Sequence, residues 1–143
     1  MMEALLQHYA QFWIFYAGLI GLMVGSFLNV AIYRLPIIFS QKSEGIAKAD
    51  RMTLSRPCSS CPHCGHKITP IENIPVLSFL ALRGKCRHCK SPISFRYPLV
   101  EIVTGCLSGL AAFLFPFGVT GGLAVIAVWV VVYLSISIYE KMS

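Results

Sequence analysis

Six cysteines stand in this chain of 143 residues, and four of them make two Cys-x-x-Cys hooks, Cys61-Pro-His-Cys64 and Cys86-Arg-His-Cys89, with 21 residues between. Thiolates at the two ends of such a turn aim at one point, and two turns complete a tetrahedron of sulfurs about 2.3 Å from a zinc ion. Gly65 and Gly84, beside the hooks, suit backbone turns that a Cβ would obstruct. Four thiolates fill the zinc shell and leave no position for water or substrate. Cys61, Cys64, Cys86 and Cys89 are therefore expected to hold a structural zinc that staples a small domain. The competing reading is a pair of disulfides, which an oxidising compartment would allow. Cys58 is the spare cysteine, because Cys61 already pairs with Cys64 in the tighter turn. His63, His66 and His88 read as solvated neighbours of the ligands.

The hooks need elements to carry them, and the composition names the setting. With 56% hydrophobic and 13% charged residues, the balance is that of a membrane protein. Eleven of the twelve Lys and Arg lie between Arg34 and Arg96, so the net charge of +6 belongs to one loop. The tendency of basic loops to stay in the cytoplasm accounts for that clustering, and no nucleic-acid partner is expected. A cytoplasmic loop is reducing, which favours zinc over disulfides.

Three apolar stretches flank or follow this loop. Residues 12–33 carry no charge for 22 positions, roughly 33 Å as a helix, which is enough to cross the hydrocarbon core. Residues 98–118 and 119–139 read as the second and third spans, the second closing in the turn Phe115-Pro-Phe-Gly118. The expected fold is mainly α. It has residues 1–11 outside, about three transmembrane helices, a cytoplasmic tetracysteine zinc domain at 34–97 between the first two, and a cytoplasmic tail at 140–143. Gly21-x-x-x-Gly25 and Gly105-x-x-x-Gly109 are small-residue faces on which the first two helices can meet, and Cys106 reads as a small packing residue between those glycines. Pro36 is expected to end the first helix, and Arg34 to snorkel at its boundary. Residues 40–59 read as a flexible linker. Asn29 reads as an interhelical hydrogen-bonding group. Glu72 and Asn73 read as turn or capping residues, with a substrate-facing role left open. Glu101, an ionisable group about one turn inside the second span, is a functional candidate that could pair with Arg34 or Arg96.

Several stretches together resemble the N-terminal part of the bacterial type IV prepilin peptidases. They are Gly25-Ser-Phe-Leu-Asn29-Val, Tyr33-Arg-Leu-Pro36, Cys61-Pro-His-Cys64-Gly-His, Glu72-Asn-Ile-Pro75, Arg83-Gly-Lys-Cys86 to Cys89, and Pro92-Ile-Ser to Tyr97-Pro-Leu-Val-Glu101. They cover most of Gly25 to Gly109. The resemblance implies a multi-pass protein of the bacterial inner membrane with a cytoplasmic zinc domain. It implies as substrates the prepilins of type IV pili or the pseudopilins of type II secretion. Members of the family cut the leader after a glycine and methylate the new N-terminus, so S-adenosylmethionine is the cofactor the resemblance brings beside zinc. It also marks Asn29, Glu72, Asn73, Gly84 and Glu101 as substrate-facing or structural positions.

The family's peptidase uses two aspartates, one in a Gly-x-Gly-Asp motif, whereas the sequence holds the single aspartate Asp50 and no such motif. Paired-carboxylate chemistry needs one acid ionised and the other protonated. The sequence as given reads as a truncated or split prepilin peptidase that does not hydrolyse peptides unaided. Its partners would be a prepilin, membrane lipid and a separate chain carrying the catalytic aspartates. A methyl-donor site is not identified by any nucleotide-binding fingerprint, so methylation rests on the resemblance. The alternative is a non-catalytic membrane adaptor that binds pilins or assembly proteins. A third reading makes the zinc domain a module for anionic lipid through Lys85, Arg87, Lys90 and Arg96.

Overall fold

The computed structural model describes residues 1–48 and 50–143 and is mainly helical, with isolated bridges but no strand among the described residues. Helix α1 spans Met2–Ser43, α2 is the short Leu77–Ala81, α3 spans Arg96–Leu114 and α4 spans Val119–Met142. A 3-10 turn, Ile71–Asn73, precedes α2. Helices α1, α3 and α4 are each long and apolar enough to cross a membrane. At 42 residues α1 is about 63 Å long, so it extends well beyond a hydrocarbon core of about 30 Å.

Glycine decides how α1 and α3 pack. A Cβ built on Gly25 would lie 2.8 Å from the Cα of Glu101, and one on Gly21 would lie 2.4 Å from the Ser108 Oγ. Both positions must stay bare for the helices to touch. Thr104 and Ser108 are fully buried in this seam, and each hydroxyl donates to the carbonyl one turn back, at 2.7 Å in both cases. Such hydroxyls need no partner across the seam to be satisfied. Helix α4 closes the bundle: Trp129 Nε1 donates to Ser108 Oγ at 2.9 Å, while Val125 packs with Ala17, Ala111 and Ala112. Cys106 turns away from this seam and is exposed, contrary to the expectation that it packs between the glycines. Its neighbours Gly105 and Ser108 occupy the side of α3 that meets α1.

Pro36 does not end α1, which continues to Ser43. A proline removes one N–H and crowds the preceding turn, a local cost that neighbouring contacts can offset. Here Gln41 Oε1 accepts the Met52 N–H at 2.8 Å, and the Ile46 N–H bonds the Gln41 carbonyl at 3.2 Å. The segment expected to be a flexible linker is thus laid back against the end of the helix. Arg34 is buried and does not snorkel: its guanidinium donates to the carbonyls of Thr53, Leu54 and Pro57 at 3.0, 3.1 and 2.6 Å.

Candidate metal centre

Between α1 and α3 the chain builds the same small loop twice. The Cys61 N–H bonds the His66 carbonyl at 2.9 Å, and the Gly65 N–H bonds the Cys61 carbonyl at 2.9 Å. Twenty-five positions on, the Cys86 N–H bonds the Ser91 carbonyl at 2.8 Å and the Lys90 N–H bonds the Cys86 carbonyl at 3.1 Å. The outer rungs also match, with Ile68 N–H to Ser59 O at 2.8 Å and Ile93 N–H to Gly84 O at 2.7 Å. Each loop turns over a residue with positive φ, Gly65 at +71° and Lys90 at +61°. The second loop therefore holds a lysine where glycine would be unstrained. Gly84, with φ of +66°, serves a different purpose. It lies at the entry to the second loop, where a Cβ would sit 3.0 Å from the ring of Phe79.

The two loops bring the Cys61, Cys64, Cys86 and Cys89 sulfurs within 4.8 Å of one another. Cys61 and Cys89 approach to 3.7 Å and Cys64 and Cys86 to 3.9 Å. A zinc tetrahedron with bonds of about 2.3 Å has sulfur–sulfur edges of about 3.8 Å. A disulfide would need about 2.05 Å, and all four cysteines are free thiols. Both the donor set and its spacing fit a metal ion.

The protons on these sulfurs point the same way. The backbone N–H groups of Cys64 and His63 favour the Cys61 thiolate, and the Ser91 hydroxyl and Cys86 help against partial burial, bringing Cys61 down to about 5. Cys64 receives the His66 N–H, but desolvation and the neighbouring Cys89, Cys61 and Cys86 sulfurs push it up to about 11. Cys89 is lowered, first by the Ser91 hydroxyl 3.0 Å away. Thiols crowded this closely do not all ionise unless a cation joins them. Cys58 is exposed and stands apart from the cluster.

Around the centre, His66 stacks on His88 with ring centroids 5.3 Å apart, and its Nε2 lies 3.3 Å from Glu72 Oε1. Glu72 also accepts the Thr69 N–H and hydroxyl, both at 2.8 Å. These bonds, the backbone one first, hold its carboxyl below the ordinary range. Glu72 thus fastens the strap between the loops. Asn73 is exposed and, with Ser26, Arg34, Ser55 and Ser59, lines a cleft of about 340 Å³ between α1 and the module.

Two further side chains tie the module to the helices. Glu101 is buried in α3 and accepts the Val76 N–H at 2.7 Å, at the start of α2. Asn29 Nδ2 donates to the Tyr97 carbonyl at 3.1 Å, while its Oδ1 is buried without a partner. Neither arginine expected near Glu101 is spent on it. Arg34 holds the loop carbonyls described above, and Arg96 pairs with Glu140 on α4. Sequence reasoning missed the work of Arg34 and Ser91. The 25-position offset between the hooks, with polar residues His66 and Ser91 at matching places, was the signal available for the second.

The family model described as "Bacterial Peptidase A24 N-terminal domain" matches residues 19–115, a stretch that contains both cysteine loops, the Glu101 tether and the glycine seam. The chain belongs to this family. Among curated relatives, a prepilin leader peptidase/N-methyltransferase of Dichelobacter nodosus is 43% identical over 135 residues, 85% of this chain and 47% of the relative. Proteins of the same name from Burkholderia pseudomallei (strain 1026b) and Legionella pneumophila are 47% and 40% identical. The alignments cover 70% and 94% of this chain and 36% and 50% of those relatives. The chain thus spans half or less of the length of these relatives. No solved structure matches it. Within the family domain, the tetracysteine centre and its polar anchors are the part with chemistry to offer.

Proposed function

We propose that this chain is the zinc-stapled N-terminal portion of a prepilin leader peptidase/N-methyltransferase, acting on prepilins or pseudopilins. The observation that carries the reading is the set of four cysteine sulfurs within 4.8 Å, in a module hydrogen-bonded to α1 and α3 through Arg34 and Glu101. Bound zinc would supply a fixed tetrahedral crosslink and no Lewis-acid site, because Cys61, Cys64, Cys86 and Cys89 fill its shell. The protein's own contribution is positional. The loops hold residues 59–93 as one unit, Glu101 fixes the start of α2, and Arg34 fixes the approach to the first loop.

The orientation that fits is a cytoplasmic module. Eleven basic residues fall between Arg34 and Arg96, on the side the positive-inside rule assigns to the cytoplasm, where reduced thiols favour metal. In that orientation α1, α3 and α4 cross the inner membrane. The cleft lined by Ser26, Arg34 and Asn73 is the place where an extended leader would meet the module. Leader hydrolysis by two carboxylates calls on acids other than Asp50, which stands alone in a loop before the cysteines. The relatives' names include an N-methyltransferase activity, which supports methyl transfer as part of this reading, with S-adenosylmethionine as the proposed donor.

Co-expression with a segment carrying a Gly-x-Gly-Asp motif and its partner aspartate tests the reading. Restored cleavage of a prepilin supports it. Binding of prepilin without cleavage or methylation, in the presence of that segment and S-adenosylmethionine, would instead make the chain an adaptor.

A further inference from the structure

The module carries a face that neither the metal nor the helices use. On α2, Leu77, Leu80 and Ala81 fall on one side at helical spacing and are exposed, whereas Phe79 turns inward against Phe95 and Gly84. Ile71 and Ile74, just before the helix, are exposed as well. Directly after it come Arg83, Lys85, Arg87 and Lys90, all exposed, and no acidic side chain lies within ion-pair distance of any of them among the described residues. From Gly65 to Ser94 the only carboxylate is Glu72, against the five cations Lys67, Arg83, Lys85, Arg87 and Lys90. Even four thiolates around a divalent ion, which carry two negative charges, leave this stretch positive.

One of the tethers sets the level of α2 against α3. Glu101 receives the Val76 N–H at 2.7 Å, and Glu101 lies five residues into α3, about 7.5 Å along its axis. The start of α2 is therefore held beside the first turns of a membrane-spanning helix. An apolar helix side at that depth, followed by four unpaired cations, has the composition of an interfacial segment.

We propose that the surface from Leu77 to Lys90 docks on anionic phospholipid headgroups of the bilayer that α1 and α3 cross. Leu77 and Leu80 enter the boundary between headgroups and acyl chains, and the cations of Arg83, Lys85, Arg87 and Lys90 meet the phosphates. Charge complementarity selects this occupant over neutral lipid. The inference concerns how the module sits on the membrane and does not depend on the reaction the protein serves.

The test uses the full chain, metal-loaded, in nanodiscs of phosphatidylcholine alone or mixed with phosphatidylglycerol, and reads amide hydrogen exchange across Ile74–Arg83. Exchange is expected to be slower in the anionic discs, with each basic side chain at the headgroups contributing a factor of about five. In about 1 M salt, where the Debye length falls to about 3 Å, most of that difference should disappear. The Lys85→Gln/Arg87→Gln double variant should lose most of it too while keeping its metal stoichiometry, which reports that the loops remain folded. Leu80→Ser, on the exposed side of α2, should shrink the difference between the two kinds of disc. Equal exchange in the two discs would overturn the proposal, as would a lipid effect that survives both high salt and the double variant. Full protection already present in lipid-free micelles would overturn it as well, and would assign the face to another protein surface.

Discussion

Replacing Gly25 with alanine puts a methyl group where α1 and α3 are in backbone contact. The new Cβ would lie 2.8 Å from the Glu101 Cα and 3.1 Å from both the Cβ and the Oγ1 of Thr104. The first of these is main chain and cannot rotate away, so the helices must separate by several tenths of an ångström to reach ordinary contact. Overpacking of this kind costs about 1–3 kcal/mol. Gly21→Ala should fall in the same range, since its Cβ would meet the Ser108 Oγ at 2.4 Å and the Thr104 carbonyl at 2.9 Å. Ser108 has little room to yield, because its hydroxyl donates to Thr104 and accepts from Trp129. One separation of the helices relieves both clashes, so the double variant should cost less than the sum of the two singles. Gly109→Ala is the control. Its nearest neighbour is 3.9 Å away, and a helical alanine gains up to about 1 kcal/mol in propensity over glycine. Unfolding in mixed micelles with rising dodecyl sulfate, followed by tryptophan fluorescence, measures all four. A Gly25→Ala variant as stable as the parent, or a Gly109→Ala variant as damaged as Gly25→Ala, would refute the seam as described.

Lys90→Gly should stabilise the metal-bound module by about 0.5–1 kcal/mol, because Lys90 occupies the left-handed position that Gly65 fills in the first loop; chelator-induced unfolding compares the two proteins. Cys86→Ser should abolish stoichiometric zinc binding and open residues 59–93 to protease, while the bundle of α1, α3 and α4 keeps its helical circular dichroism. Glu72 has its carboxyl held low in the folded state, so its contribution is present above the ordinary carboxylate pKa and is lost as pH falls through the lower folded value. Glu72→Gln should therefore weaken the strap at neutral pH and flatten the acid limb of its stability curve, read as hydrogen exchange at Thr69–Asn73. Glu101→Ala leaves the Val76 N–H without its acceptor and should cost about 1–3 kcal/mol. Exchange at the first turn of α2 is the measurement.

Much of this arrangement was legible in the residues. The hooks announced the four sulfurs because ligand spacing is a local property, and the apolar stretches announced three helices because membrane length is one too. The glycine repeats on α1 and α3 foretold the seam for the same reason: small residues at a spacing of four have one obvious use in a membrane helix. The partners of Arg34 and Glu101 were not legible. Charge arithmetic suggested that Glu101 pairs with Arg34 or Arg96, yet Arg34 and Glu101 are each bonded to main chain far away in sequence. No periodicity encodes which loop carbonyl will lie near a buried guanidinium. Pro36 misled in a similar way, since its helix-breaking effect was weighed without the Gln41 and Arg34 contacts that hold the segment around it.

The bonds of Arg34, Asn29 and Glu101 have a common logic. Each is a polar side chain buried on a membrane-spanning helix, and each holds main chain of another segment: Arg34 three carbonyls, Asn29 the Tyr97 carbonyl and Glu101 the Val76 N–H. Burying a polar group without a partner is costly, and main-chain partners are available only if the loop adopts one conformation. A module tied in this way cannot swing freely when its metal is lost. A metal held by the four sulfurs would fix the two loops to each other, whereas the three tethers fix the module to the bundle, so the two sets of restraints should fail separately. Chelation should loosen residues 59–93 and leave the Asn29–Tyr97 bond intact. Loss of Glu101 should loosen α2 and leave the sulfurs together. Hydrogen exchange that rose in both regions after either perturbation would show that they form a single cooperative unit instead.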